Sequence, residues 1–216
     1  MWSDRPATRG QAAGRPKALR LGFSLQPGMR VGLYGGSFNP AHAGHAHVAE
    51  TALTRLRLDQ VIWLVSPQNP LKPSDGMAGA AERMASADRW ARGPSMRVSD
   101  LERRLGSAYT IDTLRRLRAR FPAVRFVWIM GADGLASFHL WKGWADILRE
   151  VPMAVVARPG MTLRALSSPA ARRFTSARRR SSAAATLPGA SPPAWVFLVA
   201  PLHFESSTAL RKAASV

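Results

Sequence analysis

Apolar positions along the chain fall into short continuous blocks and into blocks spaced at helical intervals, and the two kinds alternate. Residues 29–34 form a short apolar run that enters a Gly pair, and 44–58 carry Val48, Ala52, Leu53 and Leu56 at the spacing of an amphipathic helix. Residues 61–65 are a second block of buried-strand type, stopped by Ser66-Pro67. Strand, helix and strand at this spacing predict a right-handed βαβ unit. Further on, 79–92 predict a helix containing Met84 and Trp90, 96–98 a brief third strand, and 110–120 a helix with Ile111, Leu114 and Leu117 at helical spacing. Asp112 stands in its first turn and arginines in its last turns, which suits the helix field. Residues 125–130 are almost continuously apolar, as a strand covered on both faces requires, and run into Gly131-Ala132-Asp133. A Trp-rich stretch, 135–148, predicts helix and leads to a strand at 152–157 that Arg158-Pro159-Gly160 stops. A last strand at 195–200 precedes His203-Phe204-Glu205-Ser206-Ser207-Thr208, where a hydroxyl or Glu side chain can cap a short helix beginning near Thr208. The alternation predicts an α/β fold, an open doubly wound parallel sheet whose ligands sit beyond the carboxyl ends of its strands.

Two stretches lack the pattern. Residues 1–28 mix Pro, Gly, Arg and Gln and end in Gln26-Pro27-Gly28, which reads as a flexible basic leader closed by a turn. Residues 161–194 read as a low-complexity Ala/Ser/Arg segment inside a single domain spanning 29–216, since 216 residues suffice for one sizeable core. Charge marks the same stretches. The chain carries 31 Lys and Arg against 13 Asp and Glu, a formal net charge of +18. Arg164, Arg172, Arg173, Arg178, Arg179 and Arg180 fall between 161 and 195 with no acid among them. Both stretches are expected to be solvated and partly disordered, and no specific nucleic-acid partner is expected, although the field would concentrate any polyanion from ATP to RNA. The chain has no uninterrupted apolar run of about 18 residues and no apolar leader ending in a cleavage site. The expectation is a cytoplasmic protein without a membrane partner, compatible with a homo-oligomer. The absence of Cys removes disulfides, thiolate metal sites and a Cys nucleophile.

Candidate chemistry gathers at the first strand-to-helix turn, GGSFNPAHAGH from Gly35 to His45. Gly35, Gly36 and Gly44 surround the switch, where unhindered backbone can approach a ligand and helix N–H groups can point at an anion. A bland turn would explain the Gly pair alone. His42 and His45 stand three residues apart at the helix start, so both rings could face one ligand, and imidazole N–H donors suit phosphate oxygens whose charge redistributes during transfer. A zinc reading would need a third ligand, and His47 points to a different face from His45; two ordinary surface or core histidines are the plain alternative. Asn39-Pro40 fixes the loop that brings His42 in. Lys72, after the proline-stiffened Ser66-Pro67-Gln68-Asn69-Pro70, and Arg211, one turn beyond Ser206-Ser207-Thr208, occupy loop positions at the same end of the sheet. Each alone reads as a surface charge; together with the Gly and His loop they suggest a phosphate crevice, with Ser207, Thr208 and the last helix N-terminus as a second anion cap. No carboxylate is placed as a general base, and none is needed if the nucleophile is already a phosphate oxygen, which points to nucleotidyl transfer. A kinase reading lacks both a GxxxxGK[ST] loop and a His-Arg-Asp with Asp-Phe-Gly pair.

These residues resemble the nucleotidyltransferase superfamily marked by HxGH, here His42-Ala43-Gly44-His45, and SSTxxR, here Ser206-Ser207-Thr208-Ala209-Leu210-Arg211. Within it the chain is most similar to the bacterial nicotinate-nucleotide adenylyltransferases, through GLYGGSFNPAHAGHAHVAE (32–50), SPQNPLK (66–72), SAYTIDTLRRL (107–117) and WIMGADGLASFHLWKGWADI (128–147). The resemblance implies a Rossmann-like, three-layer α/β/α fold and transfer of AMP from ATP to nicotinate mononucleotide, giving deamido-NAD and pyrophosphate. Carried over residue by residue, it implies catalytic roles for His42, His45, Lys72 and Arg211, with His45 closest to the α-phosphoryl group. It implies ATP contacts from Gly35, Gly36, Ser37, Phe38, Gly44, Gly131, Asp133, Ser206, Ser207 and Thr208, with Asp133 on the adenosine side. Asn39, Tyr109, Thr110 and Trp141 would form the nicotinate mononucleotide pocket, with the Trp141 indole stacked on the pyridine ring; core packing is the competing role for Trp141 and the better one for Trp128, Trp144 and Trp195. Mg²⁺ would be carried mainly by ATP phosphates, with no dedicated protein ligand. The alternatives are a sister enzyme acting on nicotinamide mononucleotide or phosphopantetheine, and an RNA-binding protein with a vestigial nucleotide pocket.

Overall fold

The computed structural model describes residues 23–67, 77–107 and 109–201. In chain order, β1 (Arg30–Gly36) leads through α1 (Ala43–Arg55) to β2 (Gln60–Val65), and α2 (Ala80–Trp90) leads to β3 (Met96–Ser99). Next, α3 (Leu101–Arg104) and α4 (Thr110–Arg120) lead to β4 (Arg125–Gly131), and α5 (Ala132–Ser137) and α6 (Trp144–Glu150) lead to β5 (Met153–Val156). Finally α7 (Thr162–Leu166) and α8 (Pro169–Arg173) precede a short strand β6 (Arg178–Arg179) and β7 (Trp195–Leu198). The strands form one sheet in the order β3-β2-β1-β4-β5-β7-β6, and every neighbouring pair is parallel. From β1 the chain works outward through β2 to β3, then crosses back to place β4 on the other side of β1. That reversal opens a crevice at the carboxyl ends of β1 and β4, the topological switch point at which such sheets bind ligands.

Alternate side chains along each strand feed two separate cores. Leu33, Leu64, Trp128, Val155 and Phe197 enter one, packed with Leu101, Leu114, Leu135, Leu148 and Ala171 from α3, α4, α5, α6 and α8. Trp63, Ile129, Val156 and Leu198 enter the other, packed with Val48 and Ala52 of α1, Ala87 of α2 and Leu187. Helices therefore cover both faces, and the central strands β2, β4, β5 and β7 read as nearly continuous apolar runs because neither of their faces meets water. This is the doubly wound α/β sheet expected from the alternation, in the Rossmann-like, three-layer form that the resemblance implies. No helix among the described residues is long and apolar enough to cross a membrane.

Two stretches differ from expectation. The Trp-rich segment 135–148 is not one helix: α5 gives way to a 3₁₀ turn at Phe138–Leu140, and α6 begins only after Gly143, which sits in the left-handed region at φ 66°. A Cβ at Gly143 would come within 3.2 Å of Ile111 Cγ2, so the break lets this turn pack against the start of α4. The second correction concerns 161–194, expected to be solvated and partly disordered. It folds instead, into α7, α8, β6 and a 3₁₀ run at Ser181–Gly189, and buries Ala165, Ala170, Ala171, Phe174, Ala184 and Leu187. Ser168 caps α8 by accepting the Ala171 N–H at 3.3 Å, with Pro169 at the first helical position. The buried Trp195 indole donates to Phe174 O at 2.7 Å. Five-residue helices are too short to display a period, and Ala supplies much of their buried surface, which is why the pattern read as low complexity. Residues 1–22 of the expected leader and the expected helix after Thr208 lie outside the described residues.

Candidate active site

The GGSFNPAHAGH loop runs from the carboxyl end of β1, at the switch point, into α1. His42 is the N-cap of α1 in extended conformation, and its Nδ1 accepts the Gly44 N–H at 3.1 Å. His45 completes a reciprocal capping box, its Nδ1 accepting the His42 N–H at 3.3 Å. The two ring centroids stand 4.0 Å apart. A neutral imidazole that accepts at Nδ1 carries its hydrogen on Nε2, so capping selects one tautomer in both rings and makes each Nε2 a donor. Three early backbone donors of the helix are correspondingly occupied: Gly44 N–H by the His42 ring, and the His45 and Ala46 N–H groups by His42 O at 2.8 and 3.3 Å. The expectation that these helix N–H groups point at an anion is corrected here. They are spent on the cap, and the imidazoles become the groups able to donate.

A buried aromatic cluster supports His45. Phe38, 1% exposed, lies edge-on to His45 at 5.1 Å between centroids and also contacts Tyr34 and Trp63. Phe38 adopts φ 46°, an uncommon conformation for a bulky residue, held here by the ring's burial in that cluster. The Asn39-Pro40 peptide is cis. The glycines of the pair have packing reasons to be small. A Cβ on Gly35 would lie 2.4 Å from Trp128 Cη2, and one on Gly36 would lie 2.8 Å from Phe38 Cζ. Both positions thus admit neighbouring aromatic rings.

Across the switch point, β4 ends at Gly131 and Asp133 projects from the first turn of α5 with more than half its side chain exposed. Arg158, just beyond β5, bridges the two loops: its Nη1 donates to Gly44 O at 2.9 Å, and its Nε stands 3.7 Å from Asp133 Oδ1. Burial pushes the Tyr34 phenol far above its ordinary pKa, with nearby Arg158 opposing the shift and Asp133 adding to it. Tyr34 is therefore a neutral wall of the site rather than a base. On the expected acceptor side, Tyr109 occupies the N-cap position of α4 without a side-chain capping bond, and Thr110 is the first residue of the helix. Lys142 Nζ lies 4.1 Å from the centre of the Tyr109 ring, and Gly143 meets Ile111, so the 141–143 turn and the start of α4 adjoin. The Trp141 ring packs edge-on against Phe138 and Trp128, at 5.4 and 6.2 Å. Trp128 and Trp195 are core side chains, each 1% exposed.

The structure brings His42, His45, Gly44 and Asp133 into one neighbourhood through Arg158, and Tyr109, Thr110 and Trp141 into another. Lys72, Ser206, Ser207, Thr208 and Arg211 lie outside the described residues. His47 lines a separate groove with Glu50 and Trp90, consistent with its different face. Arg158, Lys142 and Arg83 were not singled out from sequence. Arg158 was readable by the reasoning applied to Lys72, a basic residue directly after a strand's carboxyl end, but its place in an Arg-Pro-Gly stop hid it. A cavity of about 310 Å³ lies beside Ser66, Arg83 and Asp100 near the ends of β2 and β3, apart from the histidines.

Residues 33–213 match the cytidylyltransferase-like family. A protein of Caulobacter sp. (strain K31) named "Probable nicotinate-nucleotide adenylyltransferase" is 69% identical over 85% of this chain and 97% of its own length. One of the same name from Rhizobium meliloti (strain 1021) is 54% identical over 87% of this chain and 100% of its own. The fold matches Plasmodium falciparum nicotinic acid mononucleotide adenylyltransferase complexed with NaAD, with a TM-score of 0.62, 15% identity and coverage of 84% of this chain and 82% of that one. Capped histidines at the switch point of a parallel sheet and relatives matched over nearly their whole length agree: the chain belongs to the cytidylyltransferase-like family, and within it to the nicotinate-nucleotide adenylyltransferases.

Proposed function

We propose that the protein transfers the adenylyl group of ATP to nicotinate mononucleotide, releasing pyrophosphate and forming deamido-NAD. The observation that supports this most directly is the reciprocal capping of His42 and His45, which leaves two neutral rings with hydrogen-bearing Nε2 atoms at the switch point. An oxygen of the mononucleotide phosphate attacks the α-phosphorus in line. The new P–O bond forms as the bond to the oxygen bridging to the β-phosphate breaks, and that electron pair leaves with pyrophosphate. The attacking oxygen is already anionic, so alignment and charge stabilisation replace a general base. His45 and His42 donate to the α-phosphoryl group as negative charge redistributes over it.

Lys72, Ser206, Ser207, Thr208 and Arg211 are assigned to the triphosphate, Gly35, Gly36, Ser37, Phe38, Gly44 and Gly131 to the walls along ATP, and Asp133 to the adenosine side. Asn39, Tyr109, Thr110 and Trp141 are assigned to the acceptor. One Asn39 atom is already committed, since Oδ1 accepts the Ala78 N–H at 3.1 Å, so its role there passes through its amide NH₂ or its backbone. ATP enters as its Mg²⁺ complex. The ion is assigned to phosphate oxygens and water, where it would neutralise part of their charge. Soluble nucleotides on both sides of the reaction and a Cys-free chain suit the cytoplasm.

The test is pyrophosphate release with Mg-ATP and each of three acceptors: nicotinate mononucleotide, nicotinamide mononucleotide and phosphopantetheine. Release is expected with nicotinate mononucleotide. Release only with one of the others moves the assignment to that acceptor, and salt-sensitive RNA binding without turnover abandons it.

A further inference from the structure

We propose that α2 is a brace for the active-site loop, with Arg83 and Ser86 as positioning residues that hold the two ends of the segment delivering His42. The proposal rests on the adenylyl-transfer reading for its kinetic consequences, and on bonds visible in the structure for its geometry. Arg83 and Ser86 are three residues apart on α2 and so share a face of it. Both are buried, at 2% and 3% exposure.

Arg83 Nη1 donates to Ser37 O at 2.9 Å, directly after β1, and to Ser66 O at 2.7 Å, directly after β2. Its Nη2 donates to Pro67 O at 3.0 Å and its Nε to Ala78 O at 3.1 Å. Ser86 Oγ accepts the Ala41 N–H at 2.9 Å. Ala41 is the residue before the His42 cap. The loop 37–41 is thus gripped at its entry by Arg83 and at its exit by Ser86, with Asn39 tied to Ala78 between them.

The chemistry of the grip explains the residue. Among the described residues no carboxylate forms an ion pair with Arg83, although burying a cation is costly unless its donors are satisfied. Four backbone carbonyls from three segments meet it instead. Only a planar guanidinium presents enough donors in a fixed fork to do so; a Lys ammonium has three donors on one atom and cannot span the same set. A surface salt link would serve stability with less. This arrangement spends a buried charge on the relative placement of the β1 and β2 exits, upstream of the two imidazoles that must stand within hydrogen-bond reach of a phosphoryl group.

The experiment compares full-length wild type with Arg83→Lys and Ser86→Ala by pyrophosphate-release kinetics and by hydrogen exchange of peptides covering 36–45. A small shift of a reacting group can cost up to about 100-fold in rate. The expected result is a fall in kcat of about tenfold or more for Arg83→Lys, with the KM for nicotinate mononucleotide changed by less than about threefold, and a smaller fall for Ser86→Ala. Exchange in 36–45 should quicken in both variants while peptides from β5 and β7 stay at wild-type rates. Variants with wild-type kcat and wild-type exchange in 36–45 overturn the brace, whether or not their melting temperatures fall. Wild type that releases no pyrophosphate with nicotinate mononucleotide sinks the functional reading instead, and the exchange data then decide the brace by themselves.

Discussion

Glu102 offers the sharpest test of the fold's electrostatics. It lies on α3, 6% exposed, while its flanking arginines, Arg103 and Arg104, reach Asp100. Burial pushes its carboxyl from 4.5 up to about 7. Between those two values the folded protein keeps the proton and the unfolded chain releases it, so the native state binds more protons. Stability is therefore fully present below about pH 4.5 and falls as pH rises toward 7. At about 1.4 kcal/mol per pH unit across that window, the loss is about 3 kcal/mol. Glu102→Gln removes the titration and keeps the shape. Relative to wild type, the variant should gain little at pH 4 and about 3 kcal/mol at pH 8, which for a protein of this size is about 6–12 °C in Tm. Thermal unfolding followed by circular dichroism at the two pH values measures it. A Tm difference between variant and wild type that is the same at both pH values refutes the buried, protonated carboxyl.

The remaining expectations concern packing and the phosphoryl site. Gly35→Ala drives a Cβ to 2.4 Å from the Trp128 ring; chemical denaturation should show about 1–3 kcal/mol lost, with the Trp fluorescence maximum displaced. Leu187→Ala, at a fully buried position in the 3₁₀ run, should cost about 2–5 kcal/mol, whereas a solvated segment would lose almost nothing. His45→Ala should lower kcat by about 100-fold with the acceptor KM little changed, and equal kcat would remove His45 from the transition state.

What was legible in the sequence was what depends on period and punctuation. Six of the seven strands show in the sequence as apolar blocks, several of them stopped by Gly or Pro, and the spacing gives α4 its observed boundaries, Thr110–Arg120, whereas β6, two exposed arginines, carries no such signal. His42 and His45 were legible because a strand-to-helix turn places them together by local geometry. What depends on tertiary partners was not. Arg83 looks in sequence like any solvated helix cation, and only the convergence of Ser37, Ser66, Pro67 and Ala78 makes it a buried one. Gly143 interrupts a helical pattern that Trp141, Trp144 and Ile147 otherwise continue, and its reason is Ile111, more than thirty positions earlier. The Ala/Ser/Arg segment hid its order because small side chains bury without leaving a hydrophobic signature. Gly35 was read as room for a ligand, yet the nearest claimant of the space is Trp128.

His42 performs two tasks that can be separated. As N-cap it accepts the Gly44 N–H through Nδ1, and as a neutral ring it carries a donor on Nε2. Asn is among the best N-cap residues and reaches only the helix's own first turn, so His42→Asn keeps the first task and gives up the second. Ala gives up both. If the imidazole is present for the cap alone, Asn should restore activity as well as stability. If the Nε2 donor meets charge on the phosphoryl group, Asn should match wild type in Tm to within about 1 kcal/mol of stability, Ala should lose about 1 kcal/mol more, and both should fall together in kcat by about 100-fold. Paired melting curves and initial rates on the three proteins distinguish the cases, and an Asn variant turning over at the wild-type rate would return His42 to the scaffold.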